Sequence, residues 1–240
     1  MIRLTINNQA VEAQEGRTLL EACREYGFKI PTLCYHPALE PYGACRLCMV
    51  EISKPPRPAR LVASCTYPCE EGLEVLTDSF AVKRSRRMTA ELLLASAWNS
   101  MEIKALANEL GVVEVRYQLP QEDRCVLCGL CVRACQEIVG VNAISFIRRG
   151  IQKHVSPPFR VSSTVCIGCG TCTLICPTQA IRLQDVTGMG SAQLMHQLVS
   201  EAQSHYCQVC STTDLSAQIF QFDKALPNNL DKKTTFAGGS

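Results

Sequence analysis

Apolar and polar residues alternate from the first residues of the chain. Ile2, Leu4 and Ile6 fall on one side of an extended segment and Arg3, Thr5 and Asn7 on the other, the period of a half-buried strand. Asn7-Asn8 supplies a turn, and a second strand starts at Val11. The period then changes. Thr18 with Glu21 three positions on forms a capping box, which opens a helix running to Tyr26, and Gly27 stands where a helix ends. A loop over 34–48 carries Cys34, Cys45 and Cys48. Beyond it the pattern predicts a strand at Met49–Ile52, a Pro-rich turn at Lys54–Pro58 and a strand at Leu61–Ala63.

Residues 80–119 change character. They are rich in helix formers, end their helical pattern at Gly111 and contain neither Cys nor His. Two helices broken near Asn99-Ser100 are expected. Residues 121–185 use one arrangement twice: a run of cysteines, then a short apolar strand, at Ala143–Ile147 and again at Ala180–Leu183. Further on, Leu194, Met195, Leu198, Val199 and Ala202 share one helical face, and a tail rich in small and polar residues is expected to be disordered. The chain thus divides into 1–78, 79–120, 121–185 and 186–240.

Composition narrows the chemistry. The formal net charge is +2, which gives no electrostatic case for nucleic acid. The one basic cluster, Lys83, Arg84, Arg86 and Arg87, reads as a solvated helix face. No apolar run approaches the roughly 20 residues that span a bilayer, and the N-terminus lacks the apolar core of a secretion signal. Sixteen cysteines are the anomaly. In a chain of this length, without that signal and with cysteines grouped in short runs, they point to metal ligands in a reducing cytoplasm rather than to a disulfide scaffold.

Spacing selects the metal. Cys34, Cys45, Cys48 and Cys65 follow C-x10-C-x2-C-x16-C. One pair and two isolated thiols suit the wrapping of a flat [2Fe–2S] cluster better than a zinc site, which usually uses two CxxC pairs. Gly43 and Ala44 are small enough to let backbone amides approach the sulfides. His36 lies nearby, but a Rieske site needs two His in place of two Cys, so His36 reads as a plain loop residue. Cys125, Cys128, Cys131 and Cys135 follow C-x2-C-x2-C-x3-C, and Cys166, Cys169, Cys172 and Cys176 repeat it, with Pro177 after. In such runs the fourth cysteine serves the other cluster. Cys125, Cys128, Cys131 and Cys176 are therefore expected to hold one [4Fe–4S] cluster, and Cys166, Cys169, Cys172 and Cys135 a second. Gly129, Gly168 and Gly170 would relieve crowding there.

Twelve of the sixteen cysteines are then used. Cys23 falls within the first helix and reads as core packing; Cys69 reads as a loop residue near the two-iron site. Cys207 and Cys210, after His205, form a bare CxxC, either half of a metal site or a redox dithiol. No strand-borne GxGxxG, P-loop or nucleophile–base motif occurs, so the chemistry expected of this chain is electron storage and transfer.

These motifs resemble a known family. Residues 33–52, LCYHPALEPYGACRLCMVEI, with SCTYP at 64–68, resemble the N-terminal [2Fe–2S] domain of the complex I 75-kDa-type subunit. They also resemble the matching subunit of NAD-linked [NiFe] hydrogenases and the N-terminal region of [FeFe] hydrogenases. The two later runs look like the two-cluster ferredoxin domain of the same proteins. The resemblance covers roughly 1–185 and implies an α+β chain: a β-grasp [2Fe–2S] ferredoxin domain, a helical connector, a βαββαβ two-cluster ferredoxin-like domain, then a C-terminal helix and tail. It implies partners too: a flavin-containing NAD(P)(H) or ferredoxin oxidoreductase subunit, and a catalytic subunit of hydrogenase, formate dehydrogenase or heterodisulfide-reductase-like type. The family's His-plus-three-Cys cluster in the connector has no ligands here, so the connector is expected to be cluster-free. The expected function is a cytoplasmic electron relay without membrane insertion. A free-standing diffusible polyferredoxin-type carrier is the alternative, and a cluster-based sensor a remoter one. All-cysteine ligation suggests a two-iron potential on the order of −400 mV.

Overall fold

The structure is a computed structural model that describes residues 1–117, 124–157 and 166–181. Its first unit is a mixed five-stranded sheet built from β1 (Ile2–Ile6), β2 (Gln9–Ala13), β3 (Met49–Lys54), β4 (Arg57–Ala63) and β5 (Glu74–Leu76), in the order β2-β1-β5-β3-β4. β1 and β2 form the expected hairpin, Ile2 opposite Ala13 and Ile6 opposite Gln9. The helix α1 (Leu19–Glu25) starts on the capping box: Thr18 Oγ1 accepts from the Glu21 amide, and the Glu21 carboxylate accepts from the Thr18 amide. Its buried face, Leu19, Leu20, Ala22 and Cys23, packs on Leu4, Ile6, Val11, Val50 and Val75 of the sheet. This is a β-grasp-like arrangement, one helix clasped by a mixed sheet, within an α+β chain.

Two features were not anticipated. β5 runs parallel to β1 and antiparallel to β3, so it ties the two halves of the sheet together. Only Val75 of its three residues is buried, which is too short a pattern to read. β4 begins at Arg57, so the Pro-rich turn shrinks to Pro55-Pro56.

The connector is two helices, α2 (Phe80–Ser96) and α3 (Met101–Glu109), broken where expected. Ser79 and Ser100 cap them, accepting from the amides of Val82 and Ile103. Ala90, Ala107 and Val112 pack between the two, and Glu91 grips Arg116 through both carboxylate oxygens at 2.8 and 2.7 Å. One expectation fails here. Arg86 does not belong to a solvated basic face: it is 7% exposed and turned inward from α2, with Nη2 donating to the Met49 carbonyl at 2.7 Å. Lys83, Arg84 and Arg87 do face solvent.

Past the connector lie α4 (Leu130–Arg133), a π-helical turn that continues it over Ala134–Ile138, β6 (Ser145–Ile147), β7 (His154–Ser156) and α5 (Thr171–Leu174). The strand expected at 143–147 is the shorter β6. Its partner is β7, in a hairpin that was not anticipated. Of the strand expected at 180–183, residues 180 and 181 are not in a strand and the rest lies outside the described residues. The expected C-terminal helix, Cys207, Cys210 and the tail also lie outside them. No helix among the described residues is long and apolar enough to cross a membrane.

A second apolar cluster joins the parts. Leu33, Leu39 and Leu47 from the first cysteine loop meet Ala97 and Ile103 of the connector and Leu130, Ala134 and Ile175 of the later region. Ile103 is 1% exposed at this junction. Truncating it leaves a cavity that three segments line, so Ile103→Ala should cost about 2–5 kcal/mol. Denaturant unfolding of the full chain, followed by circular dichroism, measures that loss.

Candidate metal centres

The first cysteine loop is a turn-rich segment because its residues require it. Gly43 sits at φ +68° and Arg46 at +57°. A Cβ on Gly43 would stand 3.0 Å from the Thr66 methyl, so glycine is needed for the approach of the two loops as well as for the turn. The loop folds back so that the Cys45 amide donates to Cys34 Sγ at 3.3 Å. Cys34, Cys45, Cys48 and Cys65 are all buried. Cys34 Sγ meets Cys45 and Cys65, and Cys48 meets Cys65. The neighbouring thiols hydrogen-bond to Cys34 and draw it far below the ordinary thiol value. The same contacts push Cys45 and Cys65 up. Cys48 is lowered as well, to about 6, by its contact with Cys65, so the four crowded sulfurs do not all ionise together unless a metal supplies positive charge. An all-thiol donor set without a carboxylate fits an iron–sulfur cluster.

The two later runs intermix. Burial raises the Cys128 thiol to about 12, and the charges that add to it come from Cys176, Cys125 and Cys34. Burial likewise raises Cys131, whose charged neighbours are Cys128, Cys125 and Cys176. So Cys176 is an electrostatic neighbour of Cys128 and Cys131, and Cys135 is one of Cys172. Burial raises Cys172 to about 11, helped by Cys169, Cys166 and Cys135. Cys135, Cys166, Cys169 and Cys172 line one cavity, walled by Val139, Val141, Ala143 and Ile144 and floored by Gly168 and Gly170. Each fourth cysteine accepts from a backbone amide at 3.2 Å, Cys135 from Ala143 and Cys176 from Ala180. A cavity lined by four thiols and no carboxylate suits an iron–sulfur cluster. Gly129, at φ +81°, would bring a Cβ to 3.3 Å from the Tyr42 ring, so its small size serves the contact with the first loop.

Three residues at these sites escaped the sequence reading. His36 is 1% exposed rather than a plain loop residue. Its Nδ1 accepts from the Ala38 amide at 3.1 Å, and burial, then the Arg133 guanidinium, lower its pKa, which favours the neutral ring. Arg133 reaches from the first run into the two-iron loop, where its Nη1 donates to the Cys34 carbonyl at 3.2 Å and its Nη2 to the Glu40 carbonyl. Its Nε binds Glu137 at 3.1 Å, and the guanidinium lies over Tyr42. Glu137 also accepts from the Glu40 amide at 2.9 Å. A charged residue inside a buried cysteine run, C-V-R-A-C, was the available signal.

Known proteins carry the same layout. A 2Fe-2S iron-sulfur cluster binding domain is matched over residues 1–79, and a 4Fe-4S binding domain over 159–182. The NADPH-Fe(3+) oxidoreductase subunit alpha of Geobacter sulfurreducens (strain DL-1 / KN400) is 32% identical over 202 residues, 74% of this chain and 24% of its own length. The NADH-ubiquinone oxidoreductase 75 kDa subunit of Reclinomonas americana is 29% identical over 180 residues, 65% of this chain and 26% of that protein. A crystal structure of NAD+-reducing [NiFe]-hydrogenase in the H2-reduced state superposes with a TM-score of 0.57 at 32% identity, covering 65% of this chain and 75% of that one. The chain belongs to the iron–sulfur subunit family shared by complex I and NAD-linked hydrogenases. It spans about a quarter of the length of the curated relatives named here. Like other members of this family it is an electron-transfer chain with [2Fe–2S] and [4Fe–4S] binding domains.

Of the four cysteines left over, the two among the described residues lie in the core. Cys23 on α1 and Cys69 near it are both buried, and burial pushes their thiols to about 12 and about 11. Both stay protonated at neutral pH, and their contribution to stability falls as pH rises from the ordinary 9.0 towards the raised values. At pH 7 iodoacetamide should leave Cys23 and Cys69 unmodified in the folded protein and label both after unfolding, as peptide mass spectrometry would read.

Proposed function

We propose that this chain is the electron-relay subunit of a cytoplasmic multi-subunit oxidoreductase. It would pass single electrons between a flavin/NAD(P)(H) or ferredoxin partner and a separate catalytic subunit. Cys34, Cys45, Cys48 and Cys65 hold one [2Fe–2S] cluster. Cys125, Cys128, Cys131 and Cys176 hold one [4Fe–4S] cluster, and Cys166, Cys169, Cys172 and Cys135 a second. When bound, these clusters supply reversible one-electron storage. The domains are 1–78, 79–120 without a cluster, 121–185 and 186–240. The third is a βαββαβ unit, a reading supported by the β6–β7 hairpin between two short cysteine-bearing helices.

One observation carries the relay reading. Cys34 and Cys45 of the first site share a single apolar cluster with Cys128 and Cys131 of the second. Leu33, Leu47 and Leu130 fill the space between and exclude water. Arg133, within the run at 125–135, bolts the two together through the Cys34 carbonyl. Two sites for one-electron carriers that share a dry wall suit transfer between them. The third site lies beyond, joined to the second by the exchanged Cys135 and Cys176.

The exchange gives a specific test. Cys176→Ser should abolish the [4Fe–4S] cluster of the run at 125–131 and spare the one at 166–172, and Cys135→Ser should do the reverse. Iron in the anaerobically purified chain should fall from about ten per chain to about six in each variant. EPR of the reduced protein would show which cubane is lost, and a variant that loses the cluster of its own run instead sinks the assignment. Affinity purification of the wild-type chain should bring down a flavin subunit and a catalytic subunit. Elution alone with all its iron would make it a diffusible carrier.

A further inference from the structure

Arg86 is the least comfortable side chain in the described structure. It is 7% exposed, yet its fully buried Nε has no hydrogen-bond partner among the described residues. Nη2 alone is anchored, on the carbonyl of Met49, the residue after Cys48. No salt bridge to Arg86 occurs among the described residues. Asp78, a carboxylate within its electrostatic reach, is already paired with Lys83 at 3.3 Å. A buried guanidinium half without partners is costly, because it has lost water and gained too little in return. Burial works against its charge, and the neighbours that offset this are Cys48, then Cys23 and Asp78, so the two-iron site lies within its electrostatic reach.

Arg133 makes the useful contrast. It also touches the two-iron loop, but Glu137 lies against its Nε and offsets its charge. Of the two buried arginines here, Arg86 keeps its positive charge unspent.

We propose that Arg86 is the counter-charge of the two-iron site, delivered from the connector helix through the Met49 carbonyl, and that it holds the reduction potential of that site up. The inference rests on the assignment of a [2Fe–2S] cluster to Cys34, Cys45, Cys48 and Cys65. Reduction brings one electron to the site and adds one negative charge; no bond forms or breaks. A fixed cation in a dry setting favours the more negative, reduced form. Arg86 therefore explains why a connector without cluster ligands still bears on the first station.

The test is a mediated redox titration of the full, anaerobically purified chain with dithionite as reductant, following the [2Fe–2S] EPR signal. Arg86→Gln should shift the reduced-to-oxidised ratio at a fixed potential at least about tenfold towards oxidised, which for one electron is a midpoint about 59 mV lower. Arg86→Lys keeps the charge and should stay within a small fraction of that shift. Arg87→Gln, on the exposed side of the same helix, should not move the midpoint. A full [2Fe–2S] signal at an unchanged midpoint in Arg86→Gln overturns the proposal. If the Gln variant loses the cluster, Arg86→Lys decides: a retained cluster near the wild-type midpoint supports the counter-charge, and a lost cluster or a tenfold shift overturns it. Failure of the underlying assignment looks different, because the wild-type chain would then lack a [2Fe–2S] signal or Cys48→Ser would leave it intact.

Discussion

Thiolates packed together away from water repel one another, and the first half of this chain is arranged around that constraint. The four sulfurs of the first site are buried, and their mutual contacts lower Cys34 and Cys48 while raising Cys45 and Cys65, so they do not all ionise together. The backbone eases the crowding by turning the Cys45 amide toward Cys34 Sγ, which Gly43 and Arg46 in left-handed conformations make possible. The rest of the relief comes from outside the loop, from the inward guanidinium of Arg86. A β-grasp-like sheet supplies rigidity for this loop and little of its electrostatics.

The later region meets the same constraint by exchange. If each run of four cysteines kept to itself, the two halves would be independent. Trading Cys135 for Cys176 makes each site depend on both halves. The π-helical turn at Ala134–Ile138 is the local device: it widens the helix where the fourth cysteine must leave its run, and such turns are common at functional sites. The shared amide contacts from Ala143 and Ala180 repeat the solution in both halves.

Much of this was legible in the sequence because it rests on local rules. The capping box, the break at Ser100 and the β1–β2 hairpin each follow from a few adjacent residues, and each formed where expected. The cysteine spacing likewise led to the proposed exchange, since in a run of that type the fourth thiol serves the other site. What escaped was non-local. β5 shows no period because only Val75 is buried. Arg86 sits in a basic cluster whose other members are solvated, and nothing in the neighbouring residues says that one of four turns inward. His36 is in a loop as expected, but its burial, and the charge of Arg133 nearly a hundred positions away that acts on it, leave no mark on the adjacent residues.

The connector shows how a segment can lose one role and keep another. Without Cys or His it has no ligands to offer, and on the sequence alone it is a spacer. In the structure it touches the first cysteine site and the junction of that site with the second. Ile103 seals the apolar junction between the first and second cysteine sites, while Arg86, on the preceding helix, reaches the carbonyl next to Cys48. A spacer would tolerate a change in the angle between α2 and α3. Here such a change would open the dry wall on one side and withdraw a positive charge on the other. The caps on both helices, the Ala90–Ala107 contact and the Glu91–Arg116 pair hold that angle fixed, so the connector acts as a brace that couples the geometry of the apolar junction to the charge beside the first cysteine site.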